Sequence, residues 1–199
     1  EKEEINNLLE LIGFDKILIG KNYLIKKNPN IKLDFSAIAK GYAVDVIGKY
    51  FYNNGFRDYM IEIGGEILCF GENNGLSWRV GIQNPFKDNE VLKIIKMNNN
   101  SLATSGSYKN YYFFSNKKYS HTINPNTGYP ITHNTVSVSV FAKDCLSADA
   151  YATGFLVLGK KNGLKIANKI NDIEVIFISG EENNYIIDYT DNILDKIND

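Results

Sequence analysis

The sequence predicts an α+β fold of largely antiparallel sheets with a few packed helices. Short apolar strand patterns follow one another with only turn residues between them, isolated helical patterns interrupt the series, and no regular βαβ alternation occurs. At 199 residues, with no internal repeat and no linker-like stretch, the chain reads as a single domain over 1–199.

The first element is an amphipathic helix in "EKEEINNLLELIG". "KILIGKNYLIKKN" then splits two short apolar runs at Gly20 to Asn22, which predicts a hairpin. In "LDFSAIAKGYAVDVIGKYFYNNGF" Ser36 is the expected N-cap of a helix, and Ala39, Ala43, Val46, Ile47 and Tyr50 recur at helical spacing until Asn54-Gly55 ends it. The stretches "YMIEIGGEILCFG", "SWRVGIQNP", "VLKIIKMNNN", "SLATSGSYKNYYFF" and "YSHTINP" read as strands. "TVSVSVFA" alternates, with Val136, Val138 and Val140 on one face and Ser137 and Ser139 on the other. A helix in "LSADAYATGFLVLG", a shorter one in "KNGLKIANKI", strands in "EVIFIS" and "NYIIDY" and a terminal "DNILDKI" complete the order.

Composition narrows the function. Lys and Arg total 22 against 23 Asp and Glu, so a net charge of −1 gives no general attraction to nucleic acid or anionic membrane. Cys69 and Cys145 are too far apart for a disulfide framework or a spaced zinc site and read as packed thiols. No run of about 18 apolar residues occurs. No signal-like segment opens these residues, so any export signal is expected outside them. The many Asn and Lys residues read as compositional bias.

Asp149 and Thr153 lie four apart and project together from an otherwise apolar helix. They offer hard oxygen ligands of the kind Mg²⁺ or Ca²⁺ takes, and Mg²⁺ commonly completes its shell with water and substrate phosphate. From this segment alone the plainer reading comes first: Asp149 charges the first helical turn and Thr153 bonds back to a carbonyl. Asp34, Ser36 and Lys40 surround a helix start, a place that suits a phosphate or an ordinary cap. Gly64-Gly65 marks a bulge, a close ligand approach or a tight turn. Thr104, Ser105, Ser107 and Tyr108 cluster around Gly106. His121, one of two histidines, is the candidate for a general base or for phosphate contact, whereas His133 reads as a surface loop residue.

Taken in order, "LDFSAIAKGYAVD", "IEIGGEI", "WRVGIQNP", "LATSGSYKNYY", "YSHTINPNTGYPI" and "SADAYATGFLVLG" resemble the FAD:protein FMN transferase family, the ApbE-type flavin transferases. The likeness runs from about Leu33 to Gly159 and implies an ApbE-like, T-fold-related arrangement. It also implies that Asp149, Thr153 and the backbone carbonyl of Ala37 hold Mg²⁺, which bridges the diphosphate of FAD. Asp34, Lys40, Ser105, His121 and Ile123 would line the flavin nucleotide site, with His121 as the base. The implied reaction is transfer of FMN from FAD to a threonine of a target flavoprotein, with release of AMP.

Two departures accompany the likeness. Ile123-Asn124-Pro125 stands where the family usually has Ile-Asp-Pro, and Asn can keep the turn. The chain also lacks the family's usual N-terminal segment, so its FAD site is expected to be open on one side. The alternatives are an FAD pyrophosphatase yielding FMN and AMP, or a non-catalytic FAD-binding module. By resemblance the setting is the bacterial periplasm or the outer face of the cytoplasmic membrane. The partners would be subunits of redox complexes, with any membrane anchor outside this chain.

Overall fold

The computed structural model describes residues 2–108, 111–115, 117–191, 193 and 197–198. Helix α1, Lys2–Leu9, buries no residue fully, and beside it β1, Ile17–Ile19, and β2, Leu24–Lys26, form the expected hairpin. No helix among the described residues is long and apolar enough to cross a membrane.

Helix α2, Ala39–Asn53, departs from expectation at its start and on its buried face. Ser36 is not its cap: the Ser36 N–H donates to Asp34 Oδ1 at 2.7 Å in a turn before the helix, and Ile38 takes the cap position without a side-chain bond. The buried residues are Gly41, Val44 and Gly48, while Val46 and Tyr50 are exposed. Small residues are needed because neighbours come too close for larger ones. A Cβ on Gly41 would lie 2.3 Å from the Cys145 carbonyl oxygen, and one on Gly48 would lie 2.4 Å from Leu68. The helix ends at Asn54 and Gly55, as the sequence predicts.

A six-stranded antiparallel sheet organises the rest. Its order is β12 (Asn184–Tyr189), β11 (Ile173–Glu181), β10 (Thr135–Ala142), β7 (Asn100–Gly106), β4 (Glu66–Phe70) and β3 (Tyr59–Ile63). Strands β5, Trp78–Gln83, and β6, Val91–Met97, make a second antiparallel ladder, to which β13, Ile197–Asn198, adds at the β6 edge. The expected strand over 101–114 is split: β7 stops at Gly106, and Tyr111–Phe114, β8, pairs with β9, Lys117–Ser120.

Helix α3, Cys145–Ala167, packs on one face of the large sheet. Gly159, at φ 70°, breaks it into the two helical segments that the sequence predicts. Phe155 and Leu156 join Val138, Val140, Val175 and Phe177 in one core cluster. Ile82, Ile95, Met97, Leu102, Phe141 and Ile178 form a second, between the sheet and the β5–β6 ladder. β10 is therefore covered on both sides, and its serines, Ser137 and Ser139, are buried along with Val138 and Val140. A bulge between Thr135 and Ser137 also turns Val136 toward the second cluster, away from Val138 and Val140. Cys69 and Cys145 are free and buried as expected, and burial pushes the Cys69 thiol up to about 12.

Candidate functional site

A cleft of about 620 Å³ opens where α2, β7, the chain after β9 and α3 converge. Lys40, Ser105, His121, Asp149 and Thr153 all line it. Asp34, Ala37 and Ile123 are not among the lining residues. Asp34 is exposed and holds the turn at Ser36, an interaction that keeps its carboxyl below the ordinary range. Ile123 is exposed and bridges to Pro130. Ala37 lies next to Ser36, which does line the cleft.

Asp149 does not serve its own helix. The cap of α3 is Asp144, which accepts the Ser147 N–H, and the first two N–H groups of the helix donate to Asp45 of α2, both at 2.9 Å. Asp149 is 3% exposed, and its Oδ2 accepts the N–H of Gly41 at 3.0 Å. In a regular helix that N–H would reach the carbonyl of Ala37. Here Ala39 N–H reaches Phe35 and Tyr42 N–H reaches Ile38, and the regular ladder begins at the Ile38 carbonyl, one residue after Ala37. The Ala37 carbonyl thus keeps its lone pairs. Thr153 Oγ1 lies 2.9 Å from Ser105 Oγ, so it bonds across to β7 and not back along α3.

Lys40 pairs with Glu66, a residue the sequence reading did not single out. Lys40 Nζ is 2.6 Å from Glu66 Oε2, and the glutamate side chain is 1% exposed. Burial raises the Glu66 carboxyl above its ordinary range, Lys40 opposes the shift, and Asp149 adds to it. Asp149 is raised by burial as well, against the pull of the Gly41 N–H and Lys40. Gly64 and Gly65, at φ 60° and 96°, form the tight turn that delivers Glu66 to the start of β4. The sequence cue was a charged residue directly after paired glycines in a strand pattern.

Consecutive residues of β5, Arg79 to Gln83, form another wall and were also missed; Val80 and Ile82 are its buried members. Tyr108 lines the cleft, and burial raises its hydroxyl above the ordinary range. His121 follows β9 directly and is exposed. Beyond it, Asn124 Oδ1 accepts the Asn126 N–H at 2.9 Å, so Asn124 supports the turn. His133 lies in the loop before β10, as expected, but not out on the surface. It is half-buried, its Nδ1 accepts the Thr135 N–H at 3.3 Å, and it lines a separate cleft of about 700 Å³.

Among the described residues no group of three or more His, Cys, Asp and Glu side chains could hold a metal ion. The set that the family resemblance picks out is one carboxylate, Asp149, and one hydroxyl, Thr153, both lining the cleft, with the carbonyl of Ala37, which lies beside the lining residue Ser36. That hard, incomplete set fits Mg²⁺ only if water or substrate oxygens complete it.

The family model described as the ApbE family matches residues 1–177. A protein named FAD:protein FMN transferase from Vibrio cholerae is 42% identical over 178 residues, covering 88% of this chain and 53% of that protein. Its namesake from Haemophilus influenzae is 37% identical over 182 residues, covering 88% and 52%. The chain thus spans about half the length of these curated relatives. The solved structure of the flavin transferase ApbE from Vibrio cholerae superposes with a TM-score of 0.86 at 36% identity, covering 98% of this chain and 62% of that one. The apo flavinyl transferase ApbE of Pseudomonas stutzeri gives 0.85 at 33%, covering 96% and 59%. With the same mixed fold of antiparallel sheets and helices, and the family pattern running through the segments that wall the cleft, the chain belongs to the ApbE family.

Proposed function

We propose that this cleft transfers FMN from FAD to a threonine hydroxyl of a partner flavoprotein. The supporting observation is the convergence of Lys40, Ser105, His121, Asp149 and Thr153 on one cavity in a chain whose relatives carry that activity in their name.

Asp149, Thr153 and the Ala37 carbonyl would hold Mg²⁺, which when bound supplies positive charge to the FAD diphosphate. Lys40 presents its ammonium at the same place, held there by buried Glu66. Ser105 orients Thr153 through their 2.9 Å contact. His121 accepts the proton of the acceptor threonine as its oxygen bonds to the phosphorus on the FMN side. The bond from that phosphorus to the bridging oxygen breaks, AMP leaves with the bridging oxygen, and FMN remains on the threonine as a phosphoester. Asp34 and Ile123 act from the rim, through the turn before α2 and the turn after His121. The partners are flavin-carrying subunits of redox complexes at the outer face of the bacterial cytoplasmic membrane or in the periplasm.

Incubation with FAD and Mg²⁺, with and without an acceptor domain, tests this reading. AMP matched by covalently bound flavin is expected. AMP with free FMN alone would make the chain a pyrophosphatase, and bound FAD without AMP would make it a binding module.

A further inference from the structure

Asp45 does not line the cleft, yet it touches the helix that carries two of the cleft's oxygen donors. Its Oδ1 accepts the Cys145 N–H and its Oδ2 the Leu146 N–H, across about a hundred residues of sequence. The contact has a counterpart one turn away. Gly41 and Asp45 stand four apart on α2, Cys145 and Asp149 four apart on α3, so each pair shares a helix face. Asp149 accepts from Gly41, and Asp45 accepts from Cys145. Each helix therefore lends a carboxylate to N–H groups in the first turn of the other, where the unpaired amides and the helix dipole favour an anion. Gly41 leaves no slack at the crossing, because a Cβ there would also come within 2.9 Å of Asp149 Cβ.

We propose that Asp45 is a positioning residue that fixes α3 against α2 and thereby sets Asp149 and Thr153 in register with the Ala37 carbonyl. The proposal rests on the reading that these three oxygens take a divalent cation. Ala37 belongs to the turn before α2 and the other two donors to α3, so the distance among them depends on how the helix starts are tied. Asp45 makes that tie directly, from α2 to α3. Asp144 caps the same helix locally, through the N–H of Ser147 three residues on. The pair forms a natural control: both are helix-start carboxylates, and only one connects the two helices.

The test is a calorimetric titration of the whole chain with Mn²⁺ in the absence of FAD, together with melting curves. Asp45→Ala should weaken Mn²⁺ binding about ten- to a hundredfold, the usual effect of losing a group that orients metal ligands. Asp45→Asn keeps one acceptor oxygen and should lie between Asp45→Ala and the parent. Asp144→Ala should lower Tm while leaving the Mn²⁺ affinity unchanged. A folded Asp45→Ala protein that binds Mn²⁺ as tightly as the parent overturns the proposal; if that variant does not fold, parental affinity in Asp45→Asn does so. Failure of the parent to bind, or parental affinity in Asp149→Ala, overturns the cation reading and this proposal together.

Discussion

Asp149 Oδ2 accepts the N–H of Gly41 at 3.0 Å, joining the starts of two helices 108 residues apart in sequence. This bond removes from Ala37 the donor that would otherwise occupy its carbonyl, and it places a carboxylate at the positive end of α2. One contact thus links the packing of two helices to the oxygen donors of the cleft.

Gly41→Ala should disturb that contact by crowding. Its Cβ would meet the Cys145 carbonyl, a backbone atom that moves only if α3 moves, and overpacking of this kind costs about 1–3 kcal/mol. Denaturant melts are expected to show a lower midpoint. A parental midpoint would contradict the close crossing.

Glu66 supplies a pH test. Its carboxyl is raised in the folded protein, chiefly by burial and against Lys40. A raised carboxyl contributes stability that is fully present below its unfolded pKa of about 4.3 and is lost as pH rises through the folded value. Glu66→Gln does not titrate, so its Tm relative to the metal-free parent should climb with pH above that point. A difference that stays constant with pH would show that Glu66 is not shifted.

His121→Ala should leave the fold intact, since the side chain is exposed, and should slow FMN transfer about 10²- to 10⁴-fold. FAD affinity, followed by flavin fluorescence, is expected to change far less than the rate. Transfer at the parental rate would take the histidine out of the base role.

Thr135→Val tests the break in α3. Thr135 is 1% exposed, and its Oγ1 accepts the Lys160 N–H at 2.9 Å, just after Gly159 turns the helix. The variant leaves that N–H without its partner, at a cost of about 1–3 kcal/mol. An unchanged unfolding free energy would mean that another group takes over the bond.

Much of the fold was legible in the chain because strands and helices have different periods. The turn residues around Gly64 and Gly20 and the break at Gly159 are local signals, and local sterics settle them, whereas the simple alternation read for β10 was altered by the bulge that turns Val136 to the second cluster. The site was legible in part for the same reason: Asp149 and Thr153 share a helix face by spacing alone, and His121 stands out as one of two histidines. The misplaced elements are those where a neighbour overrode local preference. Ser36 gave up the cap because Asp34 engages its side chain as well as its N–H, and the apolar stripe of α2 faces outward because α3 and β4 admit only small residues at Gly41 and Gly48.

By itself, then, the sequence determined the fold class, the order of elements, the family pattern and the oxygen-bearing face of α3. Only the tertiary structure decided which groups meet: Glu66 with Lys40, Asp149 with Gly41, Asp45 with the start of α3, and the β5 wall with the cleft. Spacing along a helix or strand is fixed by backbone geometry within a few residues. The partner of a buried charge or an unpaired helix N–H is fixed by which distant segment the core brings within about 3 Å, a distance that no local pattern encodes.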